Sequence, residues 1–185
     1  QASDNQYYLD TDFDGNRNIA TRSGTIFLDA GNSSSFSDQN VFMYGHHMND
    51  GSMFACISTQ LSDNAEFNAH RKVYVFTPML NYECTSFSIV LTTGTDALVR
   101  LNFDSSNDMA SYILDKEQRS VVTPSEGMPD PAGIRQLFTF STCDYTQNNG
   151  RAVMFTSLTS QAAPDGSHTG AVVDTSGLQG IQGNR

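Results

Sequence analysis

The chain has 185 residues, with 20 Asp and Glu against 10 Lys and Arg and a formal net charge of −10. That sign argues against nucleic acid as a partner, since phosphate backbones recruit basic surfaces. The length suits a single domain with a self-sufficient core. No apolar run approaches the ~20 residues of a bilayer-crossing helix. The 12 Phe and 7 Tyr, set among abundant Ser and Thr, favour twisted strands over a helical bundle.

Residues 1–24 are rich in Asp, Asn and Gly around Tyr7 and Tyr8 and read as a loop or short helix leading into a strand at 25–28. A second strand follows at 40–44. From Ser52 the apolar Met53, Phe54, Ile57 and Leu61 recur at helical spacing, with Asp50 or Ser52 as the N-cap. This predicted helix begins just after Gly45-His46-His47. A β-branched and aromatic run at 73–76 stops at Pro78, and strands at 85–91 and 98–103 continue across a Thr-Thr-Gly-Thr-Asp turn, which predicts a β-meander. Ser105 or Ser106 caps a helix running to about Arg119, with Met109, Tyr112, Ile113 and Leu114 facing a core. The irregular segment 123–133 holds Pro124, Pro129 and Pro131. Strands at 137–141 and 151–158 flank a turn containing Asn148-Asn149-Gly150. The tail from Pro164 is polar and has little to bury.

Asp10-x-Asp12-x-Asp14-Gly15 copies the first half of a calcium loop, but its twelfth position is Thr21 where a bidentate Glu belongs, so it reads as a solvated acidic turn. His46 and His47 are adjacent and on a strand point to opposite faces, so they cannot chelate one ion together. There is no Cys-x-x-Cys pair, and the sequence calls for neither a metal nor a cofactor. Cys56, Cys84 and Cys143 are odd in number and leave at least one thiol free. Cys56 and Cys84 read as buried packing residues. A lone Cys at a strand end is ordinarily a small hydrophobe as well, but Cys143 has Arg151 eight residues on, across a hairpin. A permanent cation beside a thiol favours the thiolate and can stabilise an oxyanion.

Tyr44-Gly45-His46-His47-Met48-Asn49-Asp50-Gly51-Ser52-Met53-Phe54, followed by Phe140-Ser141-Thr142-Cys143 and Arg151, closely resembles the class B sortases, transpeptidases that attach proteins to the Gram-positive cell wall. Further matching segments are Asp4-Asn5-Gln6-Tyr7-Tyr8-Leu9, Gly24-Thr25-Ile26-Phe27-Leu28-Asp29, Tyr74-Val75-Phe76-Thr77-Pro78 and Lys116-Glu117-Gln118-Arg119-Ser120-Val121. The resemblance covers roughly residues 5–160, with its motifs in family order.

The resemblance implies a mainly β fold, a sortase-type barrel with peripheral helices, and catalysis by His46, Cys143 and Arg151. It further implies substrate contacts from Asn5, Leu9, Tyr44, Leu98, Val99 and Ser141; for Leu9, Leu98 and Val99 the alternative is core packing. The partners it implies are the sorting-signal peptide of a secreted surface protein and an amine acceptor on a peptidoglycan precursor or a pilin. The expected location is the extracellular face of a Gram-positive cell membrane. Relatives carry a membrane anchor, a helix and the first barrel strands ahead of the Asp-Asn-x-Tyr-Tyr-Leu motif. The expected catalytic domain, 1–163, is therefore N-terminally incomplete, and 164–185 is a mobile Gly/Ser/Gln-rich tail. Two other functions stand beside transfer: a cysteine endopeptidase without transfer, and an inactive calcium-binding surface module.

Overall fold

A computed structural model describes residues 3–17 and 24–165. The expected tail lies almost entirely outside the described residues, as does Thr21 of the calcium-like motif. Six strands form one sheet: β1 (Phe27–Leu28), β2 (Asn40–Tyr44), β3 (Lys72–Phe76), β4 (Asn81–Thr93), β5 (Leu137–Asp144) and β6 (Gly150–Ala162). Their order is β1-β2-β5-β6-β4-β3, a curled half-barrel in which only β2 and β5 run parallel.

Period-two alternation sends side chains to two cores, one on each face. Val41, Met43, Phe138, Phe140, Ala152 and Met154 pack on one face with Ile57 and Phe67. Phe42, Leu137, Val153 and Phe155 pack on the other with Met109, Tyr112 and Ile113. In β4 the pairing with β6 slips between Ser86 and Ser88, a bulge that takes up Phe87. That extra residue resets the alternation, so Cys84 and Ile89 share a core despite their odd spacing.

Among the described residues three α-helices cover these faces: α1 (Ala55–Thr59), α2 (Asn64–Ala69) and α3 (Ser106–Gln118). Ser105 caps α3 by accepting the Asp108 N–H at 3.2 Å. Its buried stripe is Met109, Tyr112, Ile113 and Lys116, at i, i+3, i+4 and i+7. Leu114 falls outside that stripe and is 46% exposed, contrary to the expected core position.

The first predicted helix starts later than its sequence suggests. Asp50 accepts the Ser52 N–H and hydroxyl, Met53 adopts a left-handed φ of 56°, and neither Asp50 nor Ser52 caps the helix. No hydrophobic periodicity marks α2 in the sequence, although Asp63 caps it by accepting from Ala65 and Glu66. The signal was present in Asp63 with Glu66 three residues on, a spacing close to a capping box.

The meander also differs. β4 pairs with β3 through its first residues and with β6 along its length, so the turn after Thr93 leaves the sheet. Residues 98–103 are therefore not a strand. Their polar groups are met singly: Asn40 binds the Arg100 and Leu101 carbonyls through its side-chain and main-chain N–H, and Gln39 accepts the Phe103 N–H.

Candidate active site

Three neighbouring strands bring the predicted catalytic residues to one rim. In the parallel β2–β5 pair Tyr44 lies opposite Ser141, and the Gly45 N–H donates to the Ser141 carbonyl at 3.1 Å. Two residues on from that pair, His46 just past the end of β2 and Cys143 among the last paired residues of β5 come to the same edge. The β5–β6 hairpin then sets Arg151 opposite Cys143. Its turn is closed by Asn149 at φ 54°, a left-handed conformation that Asn tolerates better than most residues. Registered neighbours share a face, so Ser141, Cys143 and Arg151 stand on the side of Phe42, Val153 and Phe155.

At this rim that face opens into a cleft of about 510 Å³. His46, Cys143 and Arg151 all line it. So do Asn5, Leu9, Tyr44, Leu98, Val99 and Ser141, together with Gly94 and Asp96, which no sequence motif marks. Cys143 is half-buried. The His46 Nε2 lies 2.6 Å from the Leu9 carbonyl. A carbonyl only accepts, so Nε2 carries the hydrogen and the ring orientation is fixed by the segment bearing Leu9.

The Arg151 Nη1 donates to the Gly150 carbonyl at 2.8 Å. It makes no ion pair among the described residues, whereas Arg17, Arg71, Lys72, Arg100, Lys116 and Arg119 each hold a carboxylate. Gly94 makes room for it. A Cβ there would stand 3.2 Å from Arg151 Nη2 and 2.9 Å from Asn149 Oδ1, while the Gly94 N–H docks on the Asn149 carbonyl at 2.8 Å.

Asn5 and Tyr44 meet at Asp29. The Tyr44 hydroxyl donates to Asp29 Oδ2 at 2.7 Å and Asn5 Nδ2 to the same oxygen at 2.9 Å, while Asn5 Oδ1 accepts the Ala30 N–H at 2.7 Å. Burial, and then Asp29, push the Tyr44 phenol well above its ordinary pKa. Asn5 thus fastens the N-terminal segment to the wall with its whole amide. The hub residue, Asp29, was visible in sequence only as the end of a matching motif.

The opposite wall is bolted to α3 at alternate residues. Arg119 pairs with Asp96, the Tyr112 hydroxyl donates to the Leu98 carbonyl at 2.6 Å, and Arg100 makes a two-pronged pair with Asp108. The Arg119 guanidinium holds the Asp96 carboxyl below its ordinary pKa, with help from the Thr92 hydroxyl. Leu98 is buried and Val99 is 47% exposed.

Cys84 and Cys56 belong to the core on the other face, and all three cysteines are free thiols. Burial pushes the Cys84 thiol up to about 12 and raises that of Cys56. In the calcium-like turn Arg17 pairs with Asp10, and Asp12 accepts from Asn16. Among the described residues no cluster of three metal-ligating side chains occurs, and no helix is long and apolar enough to cross a membrane.

No protein-family model matches the chain. Relatives and solved structures do. The chain is 33% identical over 156 residues to Sortase B of Listeria monocytogenes, covering 83% of this chain and 61% of that protein. The solved sortase B from Listeria monocytogenes superposes with a TM-score of 0.72 at 34% identity, covering 85% of this chain and 84% of that one. Clostridium perfringens sortase B superposes with a TM-score of 0.76 at 27% identity, covering 85% and 84%. The chain belongs to the class B sortase family. It spans 61% of the length of the curated relatives it matches.

Proposed function

We propose that this chain is a cysteine transpeptidase acting on the extracellular face of a Gram-positive cell membrane, with Cys143 as nucleophile, His46 as general acid and base, and Arg151 as charge stabiliser. The observation that carries this reading is the convergence of the three side chains on one rim of a single cleft. The Cys143 thiolate attacks the carbonyl of a Thr in a C-terminal sorting signal, and the negative charge on the tetrahedral oxygen meets the Arg151 guanidinium. Collapse breaks the peptide bond, and His46 protonates the departing amine. The amino-terminal part of the substrate stays as a thioester on Cys143. An amine on a peptidoglycan precursor or a pilin then attacks that thioester, gives its proton to His46, and the thiolate leaves. Leu9 and Val99 supply apolar surface for the peptide while Leu98 packs into the core of that wall, and Ser141 lies beside the nucleophile on the same wall.

The test is mass spectrometry of the protein after incubation with a library of sorting-signal peptides, with and without an added oligoglycine or diamino-acid acceptor. The expected result is a thioester adduct on Cys143 that the amine discharges into an amide product, no adduct in Cys143→Ala, and a loss of several orders of magnitude in rate in His46→Ala. An adduct discharged equally fast without amine, to the free acid alone, would convert the assignment to an endopeptidase. Equal turnover by Cys143→Ala would remove it altogether.

A further inference from the structure

His47 lies outside the catalytic set and does not line the cleft, yet its imidazole is bound to the nucleophile's own backbone. The His47 Nδ1 is 3.0 Å from the Cys143 carbonyl oxygen and 2.9 Å from the Ser58 hydroxyl. Because a carbonyl can only accept, Nδ1 must carry the hydrogen. The Ser58 hydroxyl is free to accept from that nitrogen because it donates to the Ala55 carbonyl. The ring leans on Tyr145 at 4.7 Å between centroids, and the Tyr145 hydroxyl donates to the His47 carbonyl at 3.2 Å.

The reason for this contact lies in the ladder. In a parallel pair the donors of one strand recur at every second residue. After the Gly45 N–H to Ser141 carbonyl bond, the next rung would be the His47 N–H to the Cys143 carbonyl. That rung cannot form through the main chain. β2 has ended at Tyr44, the chain turns back on itself, His47 pairs with Met53, and the Phe54 N–H donates to the His46 carbonyl. The side chain of His47 supplies the missing donor. The backbone at His46 is thereby free of the sheet, while the Cys143 carbonyl remains held from the β2 side.

We infer that His47 is a positioning residue for the nucleophile: its Nδ1–H stands in for the absent rung of the β2–β5 ladder and holds the Cys143 backbone at the height His46 and Arg151 require. The inference rests on Cys143 being the nucleophile, as proposed above. Losing the rung lets the end of β5 drift, and a misplacement of about 1 Å costs on the order of 10²-fold in rate. The amide N–H of Asn sits where Nδ1 does relative to the backbone, whereas that of Gln reaches one bond further.

Three variants and one spectrum test this. His47→Ala should lower kcat for peptide transfer by about 10- to 100-fold with KM little changed. His47→Asn should recover most of the loss, and His47→Gln should behave like His47→Ala. Nitrogen-15 NMR of the unmodified protein should show His47 protonated at Nδ1, and the Cys143 carbonyl carbon resonance should shift in His47→Ala and return in His47→Asn. Wild-type kcat in His47→Ala, equal losses in all three variants, or an unprotonated Nδ1 would each overturn the inference. If the unmodified protein formed no acyl-enzyme at Cys143, the transpeptidase reading would fail by itself, and the nitrogen and carbonyl resonances would still decide whether the rung exists.

Discussion

Replacing Arg151 by Lys keeps the charge at the rim and removes the planar fork. In the structure Nη1 is engaged by the Gly150 carbonyl at 2.8 Å, so the guanidinium is anchored by one arm while its remaining donors are available to the cleft. A single ammonium cannot hold that carbonyl and meet an oxyanion in the same geometry. The loss should match the removal of one oxyanion donor, about 10²-fold in kcat/KM or roughly 2.7 kcal/mol of transition-state stabilisation. No carboxylate partner is orphaned among the described residues, so the thermal midpoint should move by no more than about 2 °C. The assay pairs steady-state transfer of a sorting-signal peptide with the second-order alkylation rate of Cys143 by a small neutral reagent. Alkylation needs the thiolate but no oxyanion site, so it should stay near the wild-type rate. A parallel fall in both rates would show that Arg151 acts on ionisation of the thiol and would refute the charge-stabilising role. Unchanged kcat/KM would refute any catalytic role.

Tyr112→Phe should leave the buried Leu98 carbonyl without its donor, at a cost of about 1–3 kcal/mol, seen as a lower urea midpoint at unchanged slope. Because that bond secures the wall bearing Leu98 and Val99, KM for peptide should rise while Cys143 alkylation stays constant; a midpoint unmoved by the substitution would contradict this. On the acid side, Asp96 has its folded pKa held below 3.8 by Arg119. The stability it lends is present above the unfolded pKa and is lost as pH falls through the folded one. Asp96→Asn should therefore flatten the acid limb of a urea-midpoint profile below about pH 4, and an unaltered limb would remove the pair from the account. On the alkaline side the Cys84 thiol is pushed from 9.0 up to about 12. The stability tied to its neutral form is present below 9.0 and is lost as pH rises towards 12. Cys84→Ala should abolish that slope, as alkaline melts would show.

Part of the candidate site was legible in the residue order where its geometry is local. Cys143 and Arg151 are joined by one hairpin, and hairpin register follows from turn length and alternation. Adjacent residues on a strand would face opposite ways, but β2 ends at Tyr44, and it is the turn back to Met53 that leaves His46 lining the cleft and carries His47 to Ser58 and Tyr145. The strand at 40–44 was equally clear from side-chain periodicity, and the α3 cap was narrowed to Ser105 or Ser106, of which the structure uses Ser105.

Other features depended on partners far along the chain, and no local pattern carries those. Residues 98–103 have strand composition, yet β4 finds its neighbour in β6, more than 50 residues later, and the segment is left to be held by Asn40, Gln39 and α3. The bulge at Phe87 and the Asp29 hub are likewise invisible until the elements that meet there are assembled. The parallel pairing of β2 with β5 is the decisive case. It joins residues 97 positions apart at Tyr44 and Ser141, and it alone brings His46 to Cys143 and calls for a side chain to complete a ladder that the main chain has left. Periodicity and turn chemistry act over a few residues and are written in the sequence, whereas the choice of strand neighbour is settled only when both faces of the sheet are buried at once.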